Sequence, residues 1–304
     1  MIALPGTIFR RLSRRVLVLA ACVVSACSPL SGFNAVAGRD SDSELLASDI
    51  AFGSHPRQKL DIYGPRLKTG NTPVVMFFYG GSWDSGRRED YTFVGRALAS
   101  KGYVVVIADY RLVPEVVFPA FIEDNAKAVR WVRDNIAPYG GDGSRLALMG
   151  HSAGAYNATM LALDPRYLRQ AGVNPSIVKA LVGLAGPYDF LPFTSPSAVA
   201  ALGAWPRPIE TQPVSYVTSA APPAFLGTGD KDTTVKPINT KKLAALLRQQ
   251  NTSVVERYYP DVDHVGIMLA ISRLLRNRGP VLDDVGVFLD KHLPLNKNLS
   301  ARQR

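Results

Sequence analysis

The chain has little of what would point at once to a metal, a membrane span or a nucleic acid. It holds four histidines and two cysteines in 304 residues. None of them cluster at ligand spacing, which excludes a metal centre built on His and Cys. No apolar run reaches the ~20 residues that a spanning helix needs. No segment recurs with a period of 20 to 50 residues, which excludes a solenoid or propeller. Charge of one sign is not gathered into a stripe either. The formal charge is +10, but Arg10, Arg11, Arg14 and Arg15 form one N-terminal cluster, and without them it falls to +6. What remains is scattered apart from a short basic tail, residues 297–304, ending in Arg302 and Arg304. With no aromatic-interleaved basic patch, nucleic acid is not expected as a partner. Hydrophobic residues make up 47% and charged residues 20%, which argues against disorder and for one large core.

The N-terminal arginines precede "VLVLAACVV", an apolar stretch too short to span, and then "SACS". Residues 1–26 therefore read as a secretory signal. "VSAC" at 24–27 resembles the lipobox of bacterial lipoproteins, which implies lipidation at Cys27 and a membrane anchor there. "SRRVLV" from Ser13 partly resembles the twin-arginine export motif, and general export is the other route. The expected location is the bacterial cell envelope, lipid-anchored, with a soluble periplasmic or secreted form as the alternative. Cleavage before Cys27 discards Cys22, so one cysteine remains and no intramolecular disulfide is possible. Residues 27–48, rich in Ser, Gly, Asp and Ala, read as a flexible tether to a domain over 49–296.

Within that domain "QKLDIYGP" alternates as an edge strand does. "PVVMFFYG", "YVVVIADY", "RLALMGHS", "KALVGLAG" and "PAFLGTGD" are continuous apolar runs bounded by turn residues, the pattern of strands covered on both faces. Helical patterns lie between them: 88–102, 121–140, 153–163 and 239–251. In the second, Ile122, Ala126, Val129, Trp131 and Val132 share an inward face, while Lys127, Arg130 and Asp134 point outward. Strands alternating with helices predict an α/β fold with a mostly parallel central sheet and helices on both faces. In such sheets chemistry belongs at the carboxyl ends of the strands.

One strand ends in Gly150, His151, Ser152, Ala153 and Gly154, a G-x-S-x-G motif between an apolar run and a helix. Small flanking residues permit a sharp turn that presents the serine hydroxyl at the strand tip, with a helix N-terminus behind it. A serine needs an imidazole to take its proton and a carboxylate to orient that imidazole. Of the histidines, His55 precedes the central strands, His151 lies inside the elbow with its side chain turned elsewhere, and His292 is C-terminal. His264 follows the strand "SVVERYYP" and is the expected base. The strand "PPAFLGTGD" ends in two candidate acids, Asp230 and Asp232, the other of which would bond its own turn.

These motifs together resemble the α/β-hydrolase superfamily, and within it the esterase and lipase branch that includes hormone-sensitive-lipase-like and bacterial feruloyl-type esterases. The likeness runs from about Leu60 to His292. It is carried by "YGGSWDSG", "ADYRLVPEVVFPAFIEDNAKAVRWV", "GGDGSRLALMGHSAG", "GLAGPYDF" and "GTGDKDTTVKP". The resemblance favours Asp232, because Gly229, Asp232 and Val235 fill a G-x-x-D-x-x-V pattern. It implies that main-chain amides of Gly81 and Ser82, in the loop begun by Gly80, form an oxyanion hole with Ala153. Tyr79 stands where a histidine is usual, and Ser82 where a third glycine often is.

The implied activity is hydrolysis of small-molecule carboxylic esters, short-acyl or aryl, through an acyl-enzyme on Ser152, with no cofactor and no metal. The proline-rich segment 187–222 reads as an insertion covering the pocket, which gives Trp83, Tyr188, Phe190 and Trp205 as expected pocket residues. Two other readings stand beside this one. The G-G-x-W loop also resembles kynurenine formamidases, which cleave a formamide. The other is a lipid-anchored binding protein with a vestigial hydrolase site.

Overall fold

A computed structural model describes residues 29–37, 40–67 and 70–295 of the chain. The expected signal segment, Cys27 and the basic tail lie outside these residues. Helix α1 spans Pro29–Val36, β1 Ser43–Ala51, β2 Lys59–Pro65 and β3 Thr72–Phe78. Then follow α2 (Thr92–Ser100), β4 (Val104–Ala108), α3 (Ala120–Asn135), β5 (Gly141–His151), α4 (Ala153–Leu163), α5 (Pro165–Gln170) and β6 (Val178–Leu184). The chain continues through α6 (Pro196–Leu202), β7 (Ala224–Gly229), α7 (Ile238–Gln249), β8 (Val254–Tyr259), α8 (Gly266–Leu269) and α9 (Val281–His292).

The strands form one eight-stranded sheet in the order β1-β2-β4-β3-β5-β6-β7-β8. The β1–β2 and β2–β4 pairs are antiparallel, and every later pair is parallel. β3 and β4 are buried at every residue, as continuous apolar runs between two helical layers must be. α4 packs against β5, β6 and β3, and α2 against β2, β1 and β4. The helical patterns read from sequence fall on α2, α3, α4 and α7. In α3, Ile122, Ala126, Val129 and Val132 are buried, whereas Trp131 is only partly so, its ring centroid 6.4 Å from that of Tyr139.

Two expectations about the N-terminal side change. β2 is not an edge strand: Leu60 to Gly64 are buried, because β1 covers its outer side. β1 and α1 are built largely from residues expected as tether. Ala37 is fully buried, Leu30 and Phe33 pack on the core, and the Phe33 ring meets Phe93 edge-on at 5.5 Å. Asn34 Nδ2 adds a bond to the Glu89 carbonyl at 2.8 Å. Ordering a residue costs roughly 1–2 kcal/mol of backbone entropy, and burying a large apolar side chain returns roughly 1.5–3 kcal/mol. Composition counted the small polar residues here and passed over the few apolar ones that dock.

Candidate active site

β5 ends where Ser152 takes φ 55° and ψ −124°, a conformation that residues bearing a Cβ rarely adopt. The flanking glycines make it attainable. A Cβ on Gly150 would lie 2.2 Å from the Gly154 carbonyl oxygen, and one on Gly154 would lie 2.0 Å from that of Phe78. The chain therefore reverses tightly from β5 into α4, and Ser152 is fastened by its own amide to the Leu184 carbonyl at 2.9 Å.

The loops after β7 and β8 bring the other two groups. They are laced together by Asp230 N to Tyr259 O at 3.1 Å, Lys231 N to Val262 O at 3.0 Å, and Asp261 N to Asp230 Oδ1 at 2.8 Å. Gly229 is required at this crossing, since a Cβ there would lie 2.0 Å from the Val262 carbonyl oxygen. Asp230 thus ties one loop to the other, where the sequence suggested a bond within its own turn. Asp232 is buried, and its Oδ1 accepts from the amides of Thr234 at 2.9 Å and Val235 at 2.8 Å.

Asp232 Oδ2 lies 2.8 Å from His264 Nδ1, and His264 Nε2 lies 2.9 Å from Ser152 Oγ. A carboxylate only accepts, so Nδ1 carries the hydrogen and Nε2 turns a lone pair to the serine hydroxyl. The three residues expected from sequence thus stand in one hydrogen-bonded line. His151 belongs beside them rather than elsewhere. Its ring packs on that of His264 at 4.9 Å, and its Nε2–H donates to the His264 main-chain carbonyl at 2.8 Å. Burial, and then the neighbouring His264, push its pKa down to about 3, so it stays neutral. Nothing in the sequence around His151 signalled this contact, because it joins segments over a hundred residues apart.

The glycine loop meets the serine from the other side. A Cβ on Gly80 would lie 2.9 Å from the Ser152 Cβ, which is why no larger residue fits there. Gly81 has φ 130°, Ser82 52° and Trp83 63°. Ser82 and Ala153 line a cavity of about 570 Å³ together with Ser152. No main-chain acceptor among the described residues takes the amide of either, so both N–H groups are available to a ligand. Gly81 is not on the cavity wall, and its carbonyl closes the turn by accepting from Asp84 N and Ser85 N, each at 3.0 Å.

Of the four expected pocket aromatics, Trp83 and Phe190 line this cavity, their rings nearly parallel at 6.4 Å. Trp83 Nε1 is fixed by Asn157 Oδ1 at 3.1 Å. Tyr188 is instead fully buried beneath the wall, packed over Gly183 and Gly186. Trp205 lies in a separate cavity of about 340 Å³, edge-on to Phe118 and bonded through Nε1 to Glu210. Segment 187–222 therefore walls the cavity through its first part, 187–198, while the rest packs elsewhere. Thr234, Val235, Lys236, Ile238 and Asn239 complete the wall; Val235 was marked in the sequence only through its motif, and none of the five as a pocket residue.

A family model described as BD-FAE matches residues 60–247, a stretch that holds the glycine loop, the elbow and Asp232. The chain belongs to the BD-FAE family. Among its relatives, this BD-FAE member is 35% identical over 155 residues to the probable isoprenylcysteine alpha-carbonyl methylesterase ICMEL1 of Oryza sativa, covering 49% of this chain and 36% of that one. It is 30% identical over 280 residues to the esterase LipQ of Mycobacterium tuberculosis, covering 84% of this chain and 65% of the relative. The chain thus spans between about a third and two thirds of the relatives' own lengths. Esterase B from Lactobacillus rhamnosis superposes with a TM-score of 0.72 at 19% identity, over 92% of this chain and 97% of that one. A thermostable esterase from Pseudomonas putida does so with 0.71 at 22%, over 97% and 100%. At these identities the likeness speaks for the fold, which is the α/β-hydrolase fold.

Proposed function

We propose that the protein is a serine hydrolase of carboxylic esters, acting through an acyl-enzyme on Ser152. The observation that carries this reading is the Ser152–His264–Asp232 line, with contacts of 2.9 and 2.8 Å, opening on a cavity where the Ser82 and Ala153 amides are free. Ser152 Oγ attacks the ester carbonyl carbon while His264 Nε2 takes its proton. Asp232, held by two amides, keeps the imidazole in the required tautomer and stabilises the imidazolium. The oxyanion receives the amides of the glycine loop and Ala153, where loss of one donor typically costs ~10²–10³ in rate. His264 then protonates the departing alcohol oxygen. Water repeats the sequence to release the acid and restore Ser152.

A cavity of about 570 Å³, with an apolar wall of Trp83 and Phe190, supports short-acyl or aryl esters as substrates. The names of the relatives, a probable isoprenylcysteine alpha-carbonyl methylesterase and an esterase, support the same bond type. Turnover of p-nitrophenyl acetate, butyrate and longer esters by the parent and by Ser152→Ala tests the reading. The variant is expected to lose at least about 10⁴-fold in kcat, as removal of a triad nucleophile does. Equal turnover by parent and variant would sink it, and preference for N-formylkynurenine would replace the ester by a formamide.

A further inference from the structure

The loop between β3 and α2 carries three successive residues in the left-handed region, two of them with side chains: Ser82 at 52° and Trp83 at 63°. Such a conformation persists only where its surroundings over-determine it. Bonds inside the loop close the turn on the Gly81 carbonyl, yet they do not tie it to the sheet. The loop is held at Trp83, whose carbonyl accepts from Val113 N at 2.9 Å and whose indole donates to Asn157, and at its stems by a group of side chains around the ends of β3 and β4.

Tyr79 follows β3, and its hydroxyl donates to Asp109 Oδ1 at 2.7 Å while accepting from the Arg57 guanidinium at 2.8 Å. The same Arg57 nitrogen also donates to the Gly86 carbonyl at 2.8 Å, and Arg57 Nε donates to that of Tyr110 at 2.8 Å. Asp109 accepts the Arg88 amide at 2.8 Å on Oδ1, and the Arg88 guanidinium on Oδ2. Tyr110 closes the ring of contacts by donating from its hydroxyl to the Tyr79 carbonyl at 2.9 Å. The Tyr79 ring is itself stacked between Tyr91 at 5.4 Å and Tyr110 at 5.0 Å. Both stems of the loop, Tyr79 on one side and Gly86 to Arg88 on the other, thus meet at one phenol oxygen.

We propose that Tyr79 is a positioning residue: by bridging Arg57 and Asp109 it clamps both stems of the 80–88 loop and so holds the Ser82 amide against Ser152. Its proton stays in place across the working range, because burial, followed by the neighbouring Asp109, raises its pKa well above the usual phenol value. The proposal rests on the Ser152 hydrolase reading, but the clamp itself does not depend on turnover.

Tyr79→Phe removes the bridging oxygen and keeps both ring stacks. With p-nitrophenyl butyrate, kcat is expected to fall about tenfold, equivalent to about 1.4 kcal/mol, with KM within about twofold. Inhibition by a boronic acid, whose adduct on Ser152 presents a tetrahedral oxyanion, is expected to weaken by about the same factor. Amide hydrogen exchange of residues 80–88 is expected to be at least about tenfold faster than in the parent. Arg57→Met, a change at a partly exposed side chain, is the second variant and is expected to move all three readouts the same way. Parental kcat with parental loop exchange in either folded variant overturns the proposal, and so does a lower Tm with parental kcat. Should the parent show no Ser152-dependent turnover, the hydrolase reading fails, and loop exchange alone then decides the clamp: parental exchange in Tyr79→Phe overturns it, faster exchange upholds it.

Discussion

At the elbow, the turn that sets Ser152 at φ 55° is built chiefly by main chain: two glycines whose missing Cβ atoms leave room for facing carbonyls, and an amide bonded to Leu184. Across the cavity, Ser82 and Trp83 sit at 52° and 63°, yet their loop is tied to the sheet by Tyr79, Arg57, Asp109 and Arg88. The two halves of one site thus store similar backbone strain by different means. Steric exclusion at the elbow tolerates no added atom, because the facing carbonyl oxygens, of Phe78 at the end of β3 and of Gly154 in the first turn of α4, cannot retreat without disturbing the sheet or the helix. A side-chain clamp can be weakened in steps, so the loop is the part of the site whose geometry is adjustable. At the stem of that loop the Tyr79 phenol supplies the buried polar group that reaches Asp109.

The contrast can be broken at its rigid end first. Gly154→Ala would set a Cβ 2.0 Å from the Phe78 carbonyl oxygen, and is expected to cost more than about 4 kcal/mol, the range of severe core and backbone lesions. Urea unfolding would read this directly, and a parental midpoint would show that the elbow is not sterically locked.

A smaller effect concerns a side-chain tie beside the elbow, from His151 to the His264 carbonyl. With the folded pKa of His151 pushed down to about 3, the unfolded chain takes up this proton near pH 6.5 and the native state does not. Its contribution is therefore fully present above about pH 6.5 and declines by about 1.4 kcal/mol per unit below it. Between pH 7 and 5 the parent is expected to lose about 2 kcal/mol more than His151→Gln, which can still donate to the carbonyl. Equal losses in the two proteins would remove His151 as the origin of acid sensitivity.

The least effect is expected in the loop. Ser82→Gly relieves a left-handed cost of about 1–2 kcal/mol but adds a flexibility penalty of about 0.5–1 kcal/mol, so stability should rise by no more than about 1.5 kcal/mol. A marked fall in Tm would mean that Ser82 is held by its side chain rather than merely tolerated at 52°.

Local signals made Ser152 and His264 legible and narrowed the carboxylate to Asp230 or Asp232, between which the resemblance to the esterase branch chose Asp232. Small residues around Ser152, and turn residues directly after the apolar runs that end at Gly229 and Tyr259, place all three groups at strand ends, where a parallel sheet gathers its chemistry. The sheet itself was readable for the same reason, since burial on both faces leaves an unbroken apolar run. Which element lies across from which was not readable. Phe190 faces the cavity while Tyr188, two residues earlier, is sealed beneath it. Asp230 laces a neighbouring loop, and His151 packs on a ring from beyond β8. The first β-strand emerged from a stretch whose composition suggested a tether, because its stability comes from pairing with β2 and not from its own residues. By itself the sequence determined the strand tips with Ser152, His264 and a pair of candidate acids set on them, whereas only the tertiary structure decided the cavity walls and the contacts around Tyr79. Backbone turns are specified by the residues that make them, while a side chain's partner depends on where distant segments come to rest.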